Sequence, residues 1–482
     1  MLRRLHSSPR SPRREPGCCT HKRLRPRWRS RLLLLLAATA TCAESPRENV
    51  LTVSGSALGT EAEVLRTQVA RFAAQHPGWE VEIRVTPDAA DQRHQLYVQW
   101  LNAHAESPDI LQLDVVWTPE FAAAGWILPL DAFEPPVDSF FDASIAANHW
   151  NGRLYALPWF VDVGMLYWRT DLMSDPPATF DQLTAAAADA QAAGVVYGIV
   201  WQGARYEGLV TVFLEFLSGM GGRILNEDGS VALESEEARR ALTAMRDQIF
   251  RDGIAPEAVL TWQEEQTRFA FQNGRAAFLR NWPYAYALMS DSSESEVAGL
   301  FRVAPMPASP AGEPSATLGG AQLAVNAHSR NPEMAYALVA FLTQREQMLE
   351  RAQVVGQFPS RHALYDSAEL AQALAIPPAQ ARAVIERAVP RPVTPVYTEL
   401  SAILQIHLHR ALTRQQEPDA ALGAAAREIR ALLERTRLTP GEPAASAAGA
   451  AKTDVRPAEE PPPASAADTA LHASRVAGEA LP

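Results

Sequence analysis

The stretch Gly152–Leu172, GRLYALPWFVDVGMLYWRTDL, decides how the rest of the chain is interpreted. It opens at Asn151-Gly152, a pair typical of turns, and continues with side chains that are mostly aliphatic or aromatic. Such a run indicates a buried strand rather than an amphipathic surface helix. Between Leu154 and Trp168 it contains a single carboxylate, Asp162. A buried ionised carboxylate is costly without donors or an opposite charge, so Asp162 needs partners.

Asp162 is open to two interpretations. In the first it is a structural residue held by backbone amides or by an arginine. In the second it accepts hydrogen bonds from a ligand in a cleft whose apolar faces are Trp159 and Phe160. Sugars suit such a cleft, because their C–H faces stack on aromatic rings while their hydroxyls donate to carboxylates.

The length and the net charge of the chain limit the classes of protein to which it can belong. The chain has 482 residues, more than one hydrophobic core ordinarily serves, so two lobes are expected. The formal net charge is −11, but the first 42 residues hold eleven Lys/Arg against one Glu, which leaves −21 on the remainder. An acidic body argues against nucleic acid or an anionic membrane as the main partner.

Lysine and cysteine usage excludes several chemistries. Lys22 and Lys452 are the only lysines, so the body offers none to a phosphate loop or a Schiff base. Cys18, Cys19 and Cys42 are the only cysteines, which leaves the body without a disulfide, a thiolate metal site or a cysteine nucleophile. We expect no cofactor and no metal.

Residues 1–42 have the pattern of a secretory signal. An arginine-rich region precedes the short apolar run Leu32–Leu36 and the small residues Ala38-Thr39-Ala40. The apolar run is too short to span a bilayer. Cys42 leaves lipid anchoring open beside simple cleavage. We therefore predict an exported protein, either periplasmic or lipid-anchored at the outer face of the cytoplasmic membrane.

The first part of the body alternates strands with helices. The predicted elements are, in order, Val50–Val53, Glu61–His76, Trp79–Thr86, Asp91–Ala105 and Ile110–Val116. This β-α-β-α-β order predicts a parallel sheet with crossover helices. Ligands of such sheets bind beyond the carboxyl ends of strands, where Asp114 lies. A plain strand-end cap is an equally open interpretation of Asp114.

Two further residues, Glu207 and Trp282, could either bind a ligand or have a purely structural role. Glu207 begins a predicted helix that runs through Leu217, where a carboxylate often serves only as a cap or dipole partner. Trp282 follows the predicted strand Ala276–Arg280 and precedes a proline, so it is either a stacking platform or a core plug. Near the end of the body, Glu399–Arg435 predicts two amphipathic helices broken near Glu417-Pro418.

Six motifs together resemble the solute-binding proteins of ABC sugar importers, closest to the trehalose/maltose-binding branch. The motifs are LDVVW at Leu113–Trp117, ALPWFVDVGMLYWRTDL at Ala156–Leu172, VWQGARYEGLV at Val200–Val210, FLRNWPYA at Phe278–Ala285, TLGG at Thr317–Gly320 and VPRPVTP at Val389–Pro395. Each motif alone is weak, but six in the family's order from about Leu51 to Arg435 are specific.

The resemblance implies an α/β fold of the periplasmic-binding-protein type, similar to maltose-binding protein, with two discontinuous lobes and a hinge. The implied lobes are an N-lobe of residues 43–160 and 326–390 and a C-lobe of residues 161–325 and 391–438. They lie between the predicted signal peptide 1–42 and a tail, 439–482, whose Ala/Pro/Glu-rich composition predicts disorder. Residues Leu157–Val163 would then run near the hinge and line the cleft.

The resemblance also implies nine ligand-binding residues, since the family holds disaccharides with carboxylates and aromatic rings. They are Glu61, Asp114, Phe160, Asp162, Glu207, Trp282, Gly320, Ala321 and Arg391. Asp114, Asp162 and Glu207 are expected to accept hydrogen bonds from hydroxyls. Trp282 and Phe160 are expected to stack on the sugar or to form a wall.

The other members of the set have different expected roles. Arg391 would be a bidentate donor to sugar oxygens, and Gly320 would supply a backbone contact. Either Glu61 or Glu63 completes the set by its position after the first strand, and Glu61 is preferred.

This chain departs from the family's pattern at two positions. Ala321 follows the two glycines where trehalose/maltose binders tend to have tryptophan, and Phe160 replaces a tyrosine. The site is expected to be wider and more apolar on that side. The identity of the sugar therefore stays open.

The resulting hypothesis is a monomeric, non-catalytic receptor that binds a disaccharide such as trehalose or maltose. It would deliver the sugar to permease subunits driven by a cytoplasmic ATPase, and its membrane contact would be through the permease or a lipid anchor. A sugar sensor that feeds a chemoreceptor or a sensor kinase is an alternative. A secreted glycoside hydrolase using two cleft carboxylates is a further one.

Overall fold

The computed structural model describes residues 49–56, 59–87, 89–309, 316–374 and 376–436. The predicted signal segment with Cys42 and the predicted tail 439–482 lie outside the described residues and stay predictions. Within the described ranges, no helix has both the length and the apolar character needed to cross a membrane.

Strands and helices alternate through most of the described chain. The strands are β1 (Val50–Ser56), β2 (Glu80–Thr86), β3 (Ile110–Asp114), β4 (His149–Trp150), β5 (Arg153–Leu154), β6 (Ala156–Val163), β7 (Met165–Arg169), β8 (Tyr197–Val200), β9 (Ala276–Asn281), β10 (Phe301–Pro305), β11 (Leu318–Val325) and β12 (Phe358–Pro359). The helices of the first half are α1 (Gly59–Gln75), α2 (Ala90–Asn102), α3 (Thr118–Ala123), α4 (Asp142–Ala146), α5 (Phe180–Ala192), α6 (Glu207–Gly219) and α7 (Glu236–Phe250). Those of the second half are α8 (Glu264–Gln272), α9 (Tyr284–Met289), α10 (Pro332–Leu342), α11 (Arg345–Val355), α12 (Ala368–Ala373), α13 (Pro378–Glu386), α14 (Tyr397–Leu412) and α15 (Pro418–Thr436).

The larger sheet has six strands in the order β12-β6-β11-β3-β1-β2. Strands β2 and β3 both pair with β1 in parallel, which confirms the predicted β-α-β-α-β unit. Strands β11, β6 and β12 add to it in antiparallel fashion, so the sheet as a whole is mixed. Helix α2 is tied to this sheet by Tyr97, whose hydroxyl donates to Ser54 Oγ at 2.7 Å. The side chains of Leu51, Leu113 and Leu157 are buried in its core.

The apolar stretch Gly152–Leu172 forms strands, as predicted, but its two main strands belong to different sheets. Strand β6 pairs with β11 and β12, whereas β7 pairs with β9 and β10 in the smaller sheet. Gly164 joins the two strands. A Cβ at this position would collide with Glu215 Oε1 and Arg280 Nη2, so the junction requires glycine.

The smaller of the two main sheets has four strands in the order β10-β7-β9-β8, and β4 and β5 pair separately with each other. Helices α5 and α8 pack against it, and α6, α7, α14 and α15 pack on one another. The last two helices confirm the predicted amphipathic pair broken near Glu417-Pro418. After α11, Phe358 and Pro359 pair with β6 as a short edge strand of the larger sheet.

The lobe boundaries stay predictions, and sheet membership suggests a revision of two of them. The predicted boundary at residues 160 and 161 falls inside β6. The predicted boundary at residues 325 and 326 would put β11 in the C-lobe, yet β11 pairs with β3 and β6 of the larger sheet. We propose that the chain passes between the sheets at Gly164, between Pro305 and Leu318, and near Arg391, because hydrogen-bonded strands move together.

Candidate functional site

A cavity of about 320 Å³ lies between elements of the two sheets. It is lined by the ends of β3, β6 and β11 and by residues at the starts of α6, α8 and α9. Eight of the nine predicted residues line it, namely Asp114, Phe160, Asp162, Glu207, Trp282, Gly320, Ala321 and Arg391. An adjoining cavity of about 330 Å³ shares Phe160 and Asp162 and is lined by the ninth residue, Glu61. The structure therefore brings the predicted set together.

At one end of the cavity, a buried arginine bridges two carboxylates. Arg391 Nη2 donates to Asp114 Oδ1 at 2.9 Å, and its Nη1 donates to Glu207 Oε1 at 2.8 Å. Burial by itself would lower the pKa of Arg391, but the charges of Asp114 and Glu207 hold that pKa above its ordinary value. Each terminal nitrogen of Arg391 therefore donates one of its two N–H groups to a carboxylate of the protein. Its predicted bidentate donation to a sugar stays a prediction.

Glu207 is satisfied by three donors from distant parts of the chain. Besides Arg391, Tyr397 donates its hydroxyl to Oε1 at 2.6 Å, and Ser401 donates to Oε2. Glu207 lies in the first turn of α6, where a carboxylate interacts favourably with the helix dipole, and it also lines the cavity. The two interpretations of Glu207, as a helix-start residue and as a site residue, are therefore compatible. Asp114 is comparable, because its Oδ1 also accepts from the backbone N–H of Val116 at 3.2 Å, as a strand-end cap does.

Asp162 has a different environment, although it faces the same cavity. Its Oδ1 is buried and has no hydrogen-bond partner among the described residues. Burial raises the pKa of Asp162 to about 7, and the charges of Glu61 and Asp114 add to the effect, while Arg280 and Arg351 oppose it. Within the described ranges Oδ1 thus has neither an amide nor an arginine partner, which favours the ligand interpretation of this residue.

Trp282 extends from the end of β9 into the cavity and remains partly exposed. Its indole Nε1 lies 3.4 Å from Glu264 Oε1, and its carbonyl accepts from the Tyr167 hydroxyl at 2.6 Å. Arg280 covers the ring, with Cζ 3.9 Å from its centroid. A partly exposed ring with a fixed backbone has the form of a stacking platform rather than a core plug.

The backbone of β11 closes the cavity between Asp162 and Trp282. A Cβ at Gly319 would lie 3.3 Å from both Asp162 Cβ and Trp282 Cζ3. Gly320 has φ of 116°, and a Cβ there would collide with the carbonyl oxygen of Phe160, so only glycine fits. Ala321 pairs with Phe160 on one side and Asp114 on the other, which places the small side chain at the cavity wall.

Glu61 lies in the first turn of α1 and is half-buried, whereas Glu63 is exposed. Glu61 Oε1 accepts from Arg351 Nη2 at 3.0 Å and from Gln357 Nε2 at 3.2 Å. These contacts, together with its place in the adjoining cavity, favour Glu61 over Glu63.

The predicted apolar face at Trp159 is wrong. Trp159 is about 1% exposed and packs under Arg351, whose Cζ lies 3.9 Å from its ring centroid. The pairing of β6 with β11 shifts register at Trp159, because Ala321 pairs with Phe160 and Gln322 with Pro158, and Trp159 does not line the cavity. Of the pair, only Phe160 lines it.

Several residues that line the cavity are not among the nine predicted ligand-binding residues. They include Arg93, Gln112, Tyr206, Glu264, Glu265 and Tyr284. Tyr206 and Tyr284 lie beside Glu207 and Trp282 in the quoted motifs, and this proximity was the one available signal. Gln112 Oε1 and the Tyr206 hydroxyl are buried without hydrogen-bond partners among the described residues, as is Arg391 Nε. With Asp162 Oδ1 they form a set of unsatisfied donors and acceptors at one cavity.

Asp91, at the start of α2, adds another carboxyl group behind Asp114 and Glu207. Burial raises the pKa of Asp91 to about 6, and the charges of Glu207 and Asp114 contribute, while His94 opposes the shift. The pKa of Arg391 itself is held above its ordinary value, despite burial, by the charges of Asp114 and Glu207.

Comparison with known proteins identifies the family. Residues 57–349, more than half of the chain, match the bacterial extracellular solute-binding protein family. A probable ABC transporter-binding protein of Deinococcus radiodurans is 36% identical over 363 residues, which cover 72% of this chain and 86% of that relative.

Solved structures share the fold. The maltose-bound structure of T. maritima MalE3 is 41% identical, with a TM-score of 0.76, and the match covers 80% of this chain and 100% of that chain. The GacH receptor of Streptomyces glaucescens, at 22% identity and a TM-score of 0.71, matches 80% of this chain and 98% of that chain, and supports the fold alone.

This chain belongs to the family of bacterial extracellular solute-binding proteins. The family and the two-lobed α/β fold expected from the six motifs are thus confirmed. The relatives are solute-binding proteins, so the class is a binding protein rather than an enzyme. A family of extracellular proteins also agrees with the predicted export.

Proposed function

We propose that this protein is the substrate-binding subunit of an ABC sugar importer and that it binds a disaccharide such as maltose or trehalose in the 320 Å³ cavity. The observation that carries the proposal is the meeting of a partly exposed indole, Trp282, with the unsatisfied oxygen of Asp162. An aromatic face and a free acceptor are what a sugar's C–H face and hydroxyls require.

The similar proteins support the choice of ligand. T. maritima MalE3, at 41% identity, was solved with maltose bound, and the D. radiodurans relative is described as a probable ABC transporter-binding protein. Phe160 and Ala321 line the cavity at the positions where trehalose/maltose binders tend to have tyrosine and tryptophan, so trehalose, maltose and longer glucosides all belong in the first test.

Binding would favour a closed arrangement of the two sheets. Asp162 belongs to β6 of the larger sheet, whereas Trp282 follows β9 of the smaller one. A sugar that contacts both gains its full set of contacts only when the two sheets are close together, so it shifts the population toward that state. The closed form would then be the form that a permease receives.

The test is a thermal-shift screen of the full chain against maltose, trehalose and a panel of mono- and trisaccharides, followed by calorimetric titration of each hit. A sugar present at 100 times its Kd stabilises the folded state by about 2.7 kcal/mol. Trp282→Ala should weaken binding of the hit by about tenfold or more, because the stacking surface is lost. The ligand-free Tm should change by no more than about 2 °C.

Trp79→Ala is the matched control, since Trp79 is also partly buried but lines neither of the two cavities. It should leave sugar affinity unchanged. No stabilisation by any sugar of the panel would contradict the proposal, and recovery of hydrolysed sugar would contradict a non-catalytic role. A large fall in the ligand-free Tm of Trp282→Ala would show that this ring is part of the core.

A further inference from the structure

A buried ion pair lies next to Trp282, outside the set of predicted ligand-binding residues. Arg280 has no exposed surface, and Glu215 is about 1% exposed. Arg280 Nε donates to Glu215 Oε2 at 2.8 Å, and Nη2 donates to Oε1. Such pairs contribute little net stability, because the loss of hydration offsets the attraction. Stability alone therefore does not explain why this pair is present.

The guanidinium group of Arg280 is stacked on the indole of Trp282. Arg280 Cζ lies 3.9 Å from the ring centroid. A cation over a tryptophan ring is attracted by the negative face of the ring, and the attraction is stronger where water is excluded. Trp282 lines the cavity, so the surface that it offers to a ligand is the part that Arg280 does not cover.

Arg280 is also connected to the helix that carries Glu264, the residue at the edge of the Trp282 ring. Arg280 Nη1 donates to Gln202 Oε1 at 3.2 Å, and Gln202 Nε2 donates to Thr267 Oγ1 of α8 at 2.8 Å. Helix α8 begins at Glu264, whose Oε1 lies 3.4 Å from Trp282 Nε1. Arg280, which stacks on the face of the indole, and Glu264, which lies at its edge, are therefore connected to each other through Gln202 and helix α8.

We propose that Arg280, held by Glu215, is a positioning residue that fixes the orientation of Trp282 for stacking on the ligand. This inference rests on the proposed function, which assigns Trp282 to the sugar. A ring that is fixed before binding loses little conformational freedom when the sugar arrives, so affinity is higher than with a mobile ring. Arg280 does this without touching the ligand.

The first test is a mutant cycle on maltose binding, measured by calorimetric titration of the full chain. Arg280→Met and Glu215→Met are introduced together, so that no buried charge is left without a partner. We expect a loss of affinity of about tenfold when Trp282 is present and of less than about twofold in the Trp282→Ala background. Equal losses in the two backgrounds, or no loss with Trp282 present, would overturn the proposal.

A second readout does not depend on any sugar. In the full chain labelled with 5-fluorotryptophan, the ¹⁹F resonance of Trp282 is assigned by its loss in Trp282→Ala. The Arg280→Met/Glu215→Met variant should shift or broaden this resonance, because the ring loses its fixed environment. An unchanged resonance would overturn the proposal. Failure of the wild-type chain to bind any sugar would instead contradict the proposed function, while the resonance still decides whether Arg280 positions the ring.

Two further variants separate positioning from a general structural effect. Arg280→Lys keeps a positive charge beside Glu215 but has no planar group to stack, so it should also weaken maltose binding, and it replaces the double variant if that variant does not fold. Arg71→Met/Glu350→Met removes a bidentate ion pair between α1 and α11 that lines neither cavity. It should leave both the affinity and the resonance unchanged, and an effect equal to that of the Arg280 variants would overturn the proposal.

Discussion

The two ends of the cavity contain the same kinds of side chain in opposite states. At the Arg391 end, the carboxylates of Asp114 and Glu207 accept hydrogen bonds from an arginine, and Glu207 also accepts from Tyr397 and Ser401. At the Trp282 end, Asp162 Oδ1 has no hydrogen-bond partner among the described residues.

The difference shows that lining a cavity does not by itself give a carboxylate a role toward a ligand. Glu207 and Asp114 are already compensated, and their contacts with Arg391 connect the ends of β3 and the start of α6. Asp162 gains a partner only if something else supplies a donor. We therefore interpret the Arg391 end as a connection between the two sheets and the Trp282 end as the place where ligand contacts add most.

The largest expected effect is at the Arg391 end. Arg391→Met should lower the free energy of unfolding by about 3–5 kcal/mol, because it leaves the buried Glu207 and the partly buried Asp114 without their cation. Equilibrium denaturation by urea at pH 7 measures this. Arg391→Lys is the control that keeps a charge, and it should lose less. A loss below about 1 kcal/mol for Arg391→Met would contradict the interpretation of this end as a structural connection.

The next effect concerns Asp162 and pH. Since its pKa is about 7 in the folded protein and 3.8 ordinarily, the folded state keeps the proton to higher pH than the unfolded state. Its contribution to stability should therefore decrease as the pH rises from about 4 to about 7 and stay constant above that range. We expect the wild type to lose about 3 kcal/mol relative to Asp162→Asn over this interval, in the absence of sugar.

Denaturation of the two chains side by side at pH 4.5 and pH 8 measures this difference. The comparison with Asp162→Asn cancels the titration of carboxyl groups that do not interact with Asp162, such as Asp91. Parallel pH profiles for the two chains would mean that Asp162 is not desolvated in the free protein.

The smallest effect separates the two ends most directly. Tyr397→Phe removes one of the donors to Glu207 and should lower the free energy of unfolding by about 1 kcal/mol, because Arg391 and Ser401 remain. Maltose affinity, measured by titration, should stay within about twofold of the wild type. A tenfold loss of affinity would place this cluster in direct contact with the ligand.

Local patterns predicted most of the elements of the fold but not their pairing. The apolar character of Gly152–Leu172 indicated buried strand correctly, yet it gave no sign that Gly164 divides it between two sheets. Hydrogen bonding of β11 with β3 and β6 was equally invisible, because strand partners are chosen by contacts between residues far apart in sequence. The lobe boundaries predicted from the resemblance differ from sheet membership for this reason.

The candidate site was predictable where a motif contained it. Trp282 and Gly320 lie in motifs that the resemblance covers, and both line the cavity. Glu264 and Asp91 lie in helix starts without a distinctive pattern, so their approach to the site could not be expected from spacing. The role of Arg280 was hidden as well, since a single arginine in a strand gives no indication of which ring it covers.

The sequence by itself determined the alternation of strands and helices, the acidic body and the family, because periodicity, composition and motifs are local properties of the chain. Only the tertiary structure decided which carboxylates are satisfied. Arg391 is separated from Glu207 by 184 residues and from Asp114 by 277, yet it donates to both. Buried charges are stabilised by whichever partners the fold brings within hydrogen-bonding distance, and no local pattern records that outcome.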